Sequence, residues 1–311
     1  MTRPYNNVNY GMSTPSQDSI IKVLALCRFS DVHPRLMEAL LGRYRMIDKI
    51  LQADAGSLMT IPGMNTDAAN KIAAAKSHLD EAEKYYDELR LRDISLVSRF
   101  DNDYPERLFE LNDPPTLLFY RGILPHNDTK TVAIGGNAEP SNEGIELTVD
   151  VTKRFAEAGV QVVSSLNRGI AAAAHLGSQS GQGASFSVLD SGLDNIQPAE
   201  NRPLATDIVR NGGVLGEHAP HIKFVDDGYE SSNRIIAALS QAVVVTEFYK
   251  DSETTLDLLN CCSQIGKLAF VMIDPKHGAL TDEEGLRKAS SYGAIPMVGL
   301  EKVQDIIDAL V

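Results

Sequence analysis

From Thr131 to the C-terminus the chain alternates short strand-like runs with helix-like stretches, and this alternation restricts the fold more than any other feature. Strand-like segments fall at 131–134, 160–164, 184–188, 214–215, 242–246 and 268–273, and helix-like segments such as 145–158, 199–210, 231–240 and 255–265 lie between them. Strands separated by helices need crossover connections, so the expected fold of 131–311 is α/β and Rossmann-like, with a mainly parallel sheet. Ligands of such sheets bind beyond the carboxyl ends of the strands.

The front of the chain reads differently. Residues 1–17 are polar and are expected to form a disordered lead. From 18 to 92 the apolar positions recur at helical intervals, with Leu36, Leu40, Leu41 and Ile47 in one run and Ile72, Leu79 and Tyr86 in another. Within it, Leu58 to Asn65 contains Ile61-Pro62-Gly63-Met64, a tight turn between two short helices that resembles a helix-hairpin-helix, or SAM-like, module. Gly63 and Asn65 are residue types that tolerate a positive φ. Two readings fit this turn: amides that bind a DNA phosphate, or a structural helical module. Residues 93–130 form a proline-punctuated connecting segment that includes a short strand ending at Gly122.

Charge and cysteine content narrow the function. Residues 1–95 carry 12 basic and 12 acidic side chains, so the whole net charge of −13 lies in the remainder. An acidic domain argues against broad, sequence-independent binding through a basic field but leaves room for a local basic pocket. Cys27, Cys261 and Cys262 have neither a disulfide framework nor a zinc spacing, and the adjacent pair reads as small apolar helix residues. The N-terminus lacks the pattern of a secretory signal and no apolar run is long enough for a membrane helix, so the expected location is the cytoplasm, with no membrane contact.

The candidate site is the set of loops that follow the strands. Gly135-Gly136-Asn137 leads through Ser141 into a helix, where two glycines allow close approach and a helix N-terminus favours an anion. Ser164 to Arg168-Gly169 has two readings, a bidentate cation beside open amides that suits a phosphate or a helix cap with a surface arginine. His175, about two turns into the next helix, reads as a packed core residue. Further loops bring Asp190 to Asp194, Phe224, Asn233-Arg234, and Glu247 with Ser252, Thr254 and Thr255. Glu247 has two readings, a carboxylate that orients a ribose hydroxyl or one that caps a helix. No metal cluster, catalytic triad or paired carboxylate stands out, so no catalytic residue, metal or cofactor is assigned.

Several of these segments, in this order, resemble the DNA-processing protein A (DprA, or Smf) family: Tyr104-Pro105, Asp113-Pro114-Pro115, Tyr120-Arg121-Gly122, 164–175, 188–194, 233–236 and 243–247. The resemblance covers about 95–311 and implies a Rossmann-like domain that binds single-stranded DNA, forms a homodimer and loads a RecA-type recombinase during DNA uptake. It implies no catalytic activity. The winged helix that some members carry at the C-terminus is not expected here. The family's Gly-Ser-Arg corresponds to Gly135-Gly136-Asn137 and its Arg-Asn-Arg to Ser232-Asn233-Arg234, so two arginines are missing. Its Ser-Gly-Ser corresponds to Ser252-Glu253-Thr254, which adds a negative charge. Arg168, Asn233, Arg234 and a stacking platform at Phe224 remain to hold a nucleic acid. The alternatives are a sensor of nucleotides or their derivatives at the same rim, favoured by the lost arginines, and an N-glycosidic hydrolase in which Glu247 assists at a ribose.

Overall fold

The computed structural model describes residues 17–223, 232–275 and 280–310. The chain divides into two compact units, Met1–Tyr104 with Asn112–Phe119, and Pro105–Leu111 with Tyr120–Val311.

The first unit is built from α1 (Gln17–Leu24), α2 (Pro34–Tyr44), α3 (Ile47–Leu51), α4 (Ala55–Leu58), α5 (Thr66–Ala74) and α6 (Leu79–Leu91), followed by β1 (Ser95–Ser98). Leu24, Met37, Leu40, Ile50, Leu58, Ile72 and Leu89 are fully buried and form its interior. The turn between α4 and α5 holds Gly63 at φ +83°, with open space where a side chain would stand. Asn65 plays another part than expected: its φ is −109° and its Oδ1 accepts from the Ala68 N–H, so it is the N-cap of α5.

The second unit takes in the end of β2 (Leu117–Gly122), then β3 (Thr131–Gly135), α7 (Asn142–Glu157), β4 (Gln161–Ser165), α8 (Ile170–Ser180), β5 (Ser185–Val188), α9 (Arg202–Ile208) and β6 (Gly213–Gly216). It continues with α10 (Ser232–Leu239), β7 (Ala242–Val245), α11 (Glu253–Gln264), β8 (Leu268–Ile273), α12 (Glu283–Ser291), β9 (Ile295–Val298) and α13 (Val303–Ala309). Its sheet has the order β6-β5-β4-β3-β7-β8-β9, and each neighbouring pair is parallel. This is the Rossmann-like α/β architecture. Every residue of β3 and β7 is buried, as parallel strands covered on both faces require.

On one face Val132, Ile134, Val162 and Val244 pack with Phe155 of α7, Ile170 of α8 and Ile306 of α13. Alternate strand positions point the other way, and Ala133, Val163 and Val243 are equally buried. α10, buried along its whole length, lies against β3, β4 and β5. The small residues of α8 let α7 come close: a Cβ at Gly177 would overlap Thr152 Oγ1 and stand 2.5 Å from the Val149 carbonyl. The chain steps outward from β3 through β4 and β5 to β6, then returns to place β7 on the opposite side of β3. The ends of β3 and β7 therefore flank the topological switch point, where ligands of this fold class normally enter.

Candidate nucleic-acid interface

The protein's own atoms bridge this crevice. Asn137 N–H donates to the Glu247 carbonyl (3.0 Å), and Tyr249 N–H donates to Asn137 Oδ1 (3.2 Å). Glu247 has no exposed surface. Its Oε1 accepts from Ser141 N–H (2.9 Å) and from the Tyr249 hydroxyl (2.9 Å), while its Oε2 accepts from Ser141 Oγ (2.6 Å). Ser141 Oγ in turn accepts from Gly144 N–H (3.0 Å), capping α7. The negative charge that a helix N-terminus favours is thus supplied by a residue 106 positions away in sequence. The Tyr249 hydroxyl, bound to this carboxylate, has its pKa raised.

The glycines at this point serve internal packing. A Cβ on Gly135 would stand 2.6 Å from Leu258 Cδ2, and one on Gly136 would stand 2.6 Å from the Glu247 carbonyl. At Gly144 it would overlap the Glu247 carboxylate. At Gly135 and Gly136 the chain itself comes close on the side that a Cβ would occupy. Of the two readings of Glu247, these contacts match the capping one, its carboxylate being engaged by Ser141 and Tyr249.

The loop after β4 is locked to the loop after β3. Ser164 Oγ donates to the Ile134 carbonyl (2.8 Å) and is buried. Gly169 has φ +71°, and its missing side chain leaves room for the Ala138 carbonyl, which a Cβ would meet at 2.6 Å. Ile170 N–H donates to the Asn137 carbonyl (3.0 Å). Arg168 projects from this loop with 59% of its side chain exposed and forms a two-pronged ion pair with Glu200, itself 56% exposed. Glu200 stands on a 3-10 turn, Ala199–Asn201, and the next residue ties that turn back through Asn201 Nδ2 to the carbonyl of Leu166 (2.8 Å). The Glu200 carboxylate raises the pKa of Arg168, and the guanidinium lowers that of Glu200. An ion pair this exposed is easily exchanged for another anion.

The remaining candidates are more deeply set. Arg234 is 8% exposed, and its Nη2 donates to both carboxylate oxygens of Glu217 (2.7 and 2.6 Å). Asn233 Nδ2 donates to the Thr254 carbonyl (3.0 Å) and to Asp257 Oδ2 (2.8 Å), joining α10 to α11. Ser252 Oγ and Thr255 Oγ1 lie 2.8 Å apart at the start of α11, and Thr255 is buried. The Thr254 side chain is exposed. Phe224 lies outside the described residues. Asn137 and Ser232, where the family resemblance expects arginine, are both buried, so neither position has an exposed side chain that a cation would replace. His175 is a core residue: it has no exposed surface, and its Nε2 donates to the Ser165 carbonyl (2.9 Å).

One rim residue escaped the sequence reading. Tyr249, in the loop between β7 and α11, is 46% exposed. Its sequence signal is an aromatic two residues beyond the glutamate that closes the strand.

The profile of the DNA recombination-mediator protein A family matches residues 95–310. Protein Smf of Synechocystis sp. is 30% identical over 228 residues, which make up 72% of this chain and 57% of that protein. The chain thus spans little more than half the length of that relative. DNA processing protein A of Streptococcus pneumoniae superposes with a TM-score of 0.71 at 24% identity, covering 94% of this chain and 98% of that one. DNA processing protein A of Helicobacter pylori, described for its single-stranded DNA binding mode, superposes with a TM-score of 0.59 at 19% identity, over 70% of this chain and 97% of that one. Both have the same fold. Since the profile runs through the whole parallel sheet and every loop of its rim, the chain belongs to the DNA recombination-mediator protein A family, also called DNA-processing protein A or Smf.

Proposed function

We propose that this chain binds single-stranded DNA along the rim of its parallel sheet and acts in DNA processing linked to uptake or recombination. The observation that carries this reading is a bridged crevice beside an exposed guanidinium. A mononucleotide would need the switch point, where Glu247 already holds the α7 N-terminus. A DNA strand needs phosphates within reach of exposed cations and surfaces for its bases, and Arg168 stands free of the crevice on the rim. The single-stranded DNA binding mode described for the Helicobacter pylori relative supports the same direction. A homodimer, a RecA-type recombinase as partner and a cytoplasmic location belong to this reading through the family resemblance.

Anisotropy of a labelled oligo-dT tests it. Arg168→Ala is expected to weaken binding roughly fivefold or more, for one lost charge-assisted contact, with little change in melting temperature because the side chain is exposed. Glu200→Gln removes the competing carboxylate and is expected to tighten binding. Unchanged affinity in both variants would overturn the role of Arg168.

A small anion at Arg234 is a second reading, because this buried guanidinium leaves Nε and Nη1 without a partner among the described residues. It expects a member of a nucleotide panel to raise the melting temperature of the native chain. No shift across the panel removes it.

A further inference from the structure

We propose that Tyr249 is a nucleobase-stacking platform of this site, a role that rests on the single-stranded DNA reading above. Tyr249 is 46% exposed in the loop beyond the carboxyl end of β7, whereas the neighbouring Phe248 is fully buried. One bond holds the ring and two hold the backbone that carries it. Its hydroxyl donates to Glu247 Oε1 (2.9 Å), its N–H donates to Asn137 Oδ1 (3.2 Å), and its carbonyl accepts from Ser252 N–H (2.9 Å). A side chain already fixed in this way loses little conformational freedom when a base settles on it. The polar end of the ring is committed to Glu247, so the hydroxyl does not select among base edges. What remains on offer is a hydrocarbon face, and stacking on such a face tolerates any base.

The position suits a polymer. Asn137 accepts the Tyr249 amide through its side chain, and its carbonyl accepts from Ile170, two residues beyond Arg168. The loops that carry Tyr249 and Arg168 are therefore both tied to Asn137, which brings an aromatic and an exposed guanidinium onto adjacent loops. This pairing of a stacking surface with a backbone cation is what sequence-tolerant binding of single strands requires. A duplex keeps its bases stacked on one another and gains nothing from the ring, so Tyr249 confers a preference for unpaired DNA.

The competing role is a clamp on Glu247 through the hydroxyl, and three substitutions in the full-length chain separate the two. Tyr249→Leu removes the ring and is expected to weaken oligo-dT binding roughly 5-fold to 150-fold, the span of stacking on one base. Tyr249→Phe keeps the ring without the hydroxyl and restores the binding that the leucine variant loses. An abasic oligonucleotide of the same length should bind the native and leucine variants alike. The chain contains no tryptophan, so Tyr249→Trp introduces a single indole, whose emission oligo-dT should quench and the abasic strand should not. Equal oligo-dT affinity of the native and leucine variants, with an unquenched indole, overturns the proposal and leaves DNA binding standing. Loss in the phenylalanine variant equal to that in the leucine variant assigns Tyr249 to the clamp and also overturns it. Failure of the native chain to bind oligo-dT overturns the underlying reading, and this proposal with it.

Discussion

His175 lies in α8 with no exposed surface, and burial holds its pKa down to about 4. Because the Ser165 carbonyl can only accept, the proton sits on Nε2 of the neutral ring. In the unfolded chain the same imidazole titrates near 6.5. Between these values the unfolded state binds the extra proton, so stability falls as pH drops from about 6.5 toward 4 and levels off below that window. The loss from this residue is roughly 3 kcal/mol. Urea unfolding of the native and His175→Gln chains at pH 7 and pH 4.5 is expected to show the smaller decline in the variant. His175 was legible as a core residue because it sits among alanines in a helix of small side chains. The partners of the rim arginines were not legible: Glu200 is 32 positions from Arg168 and Glu217 is 17 from Arg234, and no local pattern announces an ion pair made across the fold.

At the level of elements, the short apolar runs became β3, β4, β7 and β8, because a strand buried on both faces has little choice of residue. β9 was missed. It contains Pro296, and its Ile295 and Val298 are largely exposed, which is tolerated at the end of the sheet, where one set of backbone groups has no neighbour to bond. The expected helix over 199–210 is a 3-10 turn followed by the shorter α9, with Pro203 near its start. The start of α7 shows why an anion site could be read from the sequence while its occupant could not. The loop and the helix are local features, but Glu247 arrives from the far end of another strand. Ser141 serves both partners, capping α7 and binding the carboxylate. Ser141→Ala is expected to destabilise the chain by about 1–2 kcal/mol for the cap, with a further loss because a buried carboxylate gives up a donor. Chemical denaturation of the full-length chain measures this, and a change below about 0.5 kcal/mol, the usual range of an inert surface substitution, would show that α7 starts without help from Ser141.

For the whole molecule, the net charge of −13 sets the sign of the long-range field a DNA strand would meet. Of the two candidate arginines, one is exposed and the other is buried beside Glu217. Each phosphate neutralised on a single strand contributes about −0.7 to the slope of log K against log salt. Oligo-dT binding should therefore be modest and show a slope no steeper than about −2. A titration over a range of salt concentrations measures it, and a much steeper slope would reveal a basic track elsewhere on the chain. The closed switch point also has a consequence for how such a protein tells its targets from the cell's pool of free nucleotides. A monomer must gain its affinity from one deep seat, and here that seat is taken by the Glu247 side chain. A polymer gathers many shallow contacts, each too weak to matter singly. On the proposed reading, a sheet plugged by its own glutamate ignores the monomer however abundant it is and responds to the length of a strand.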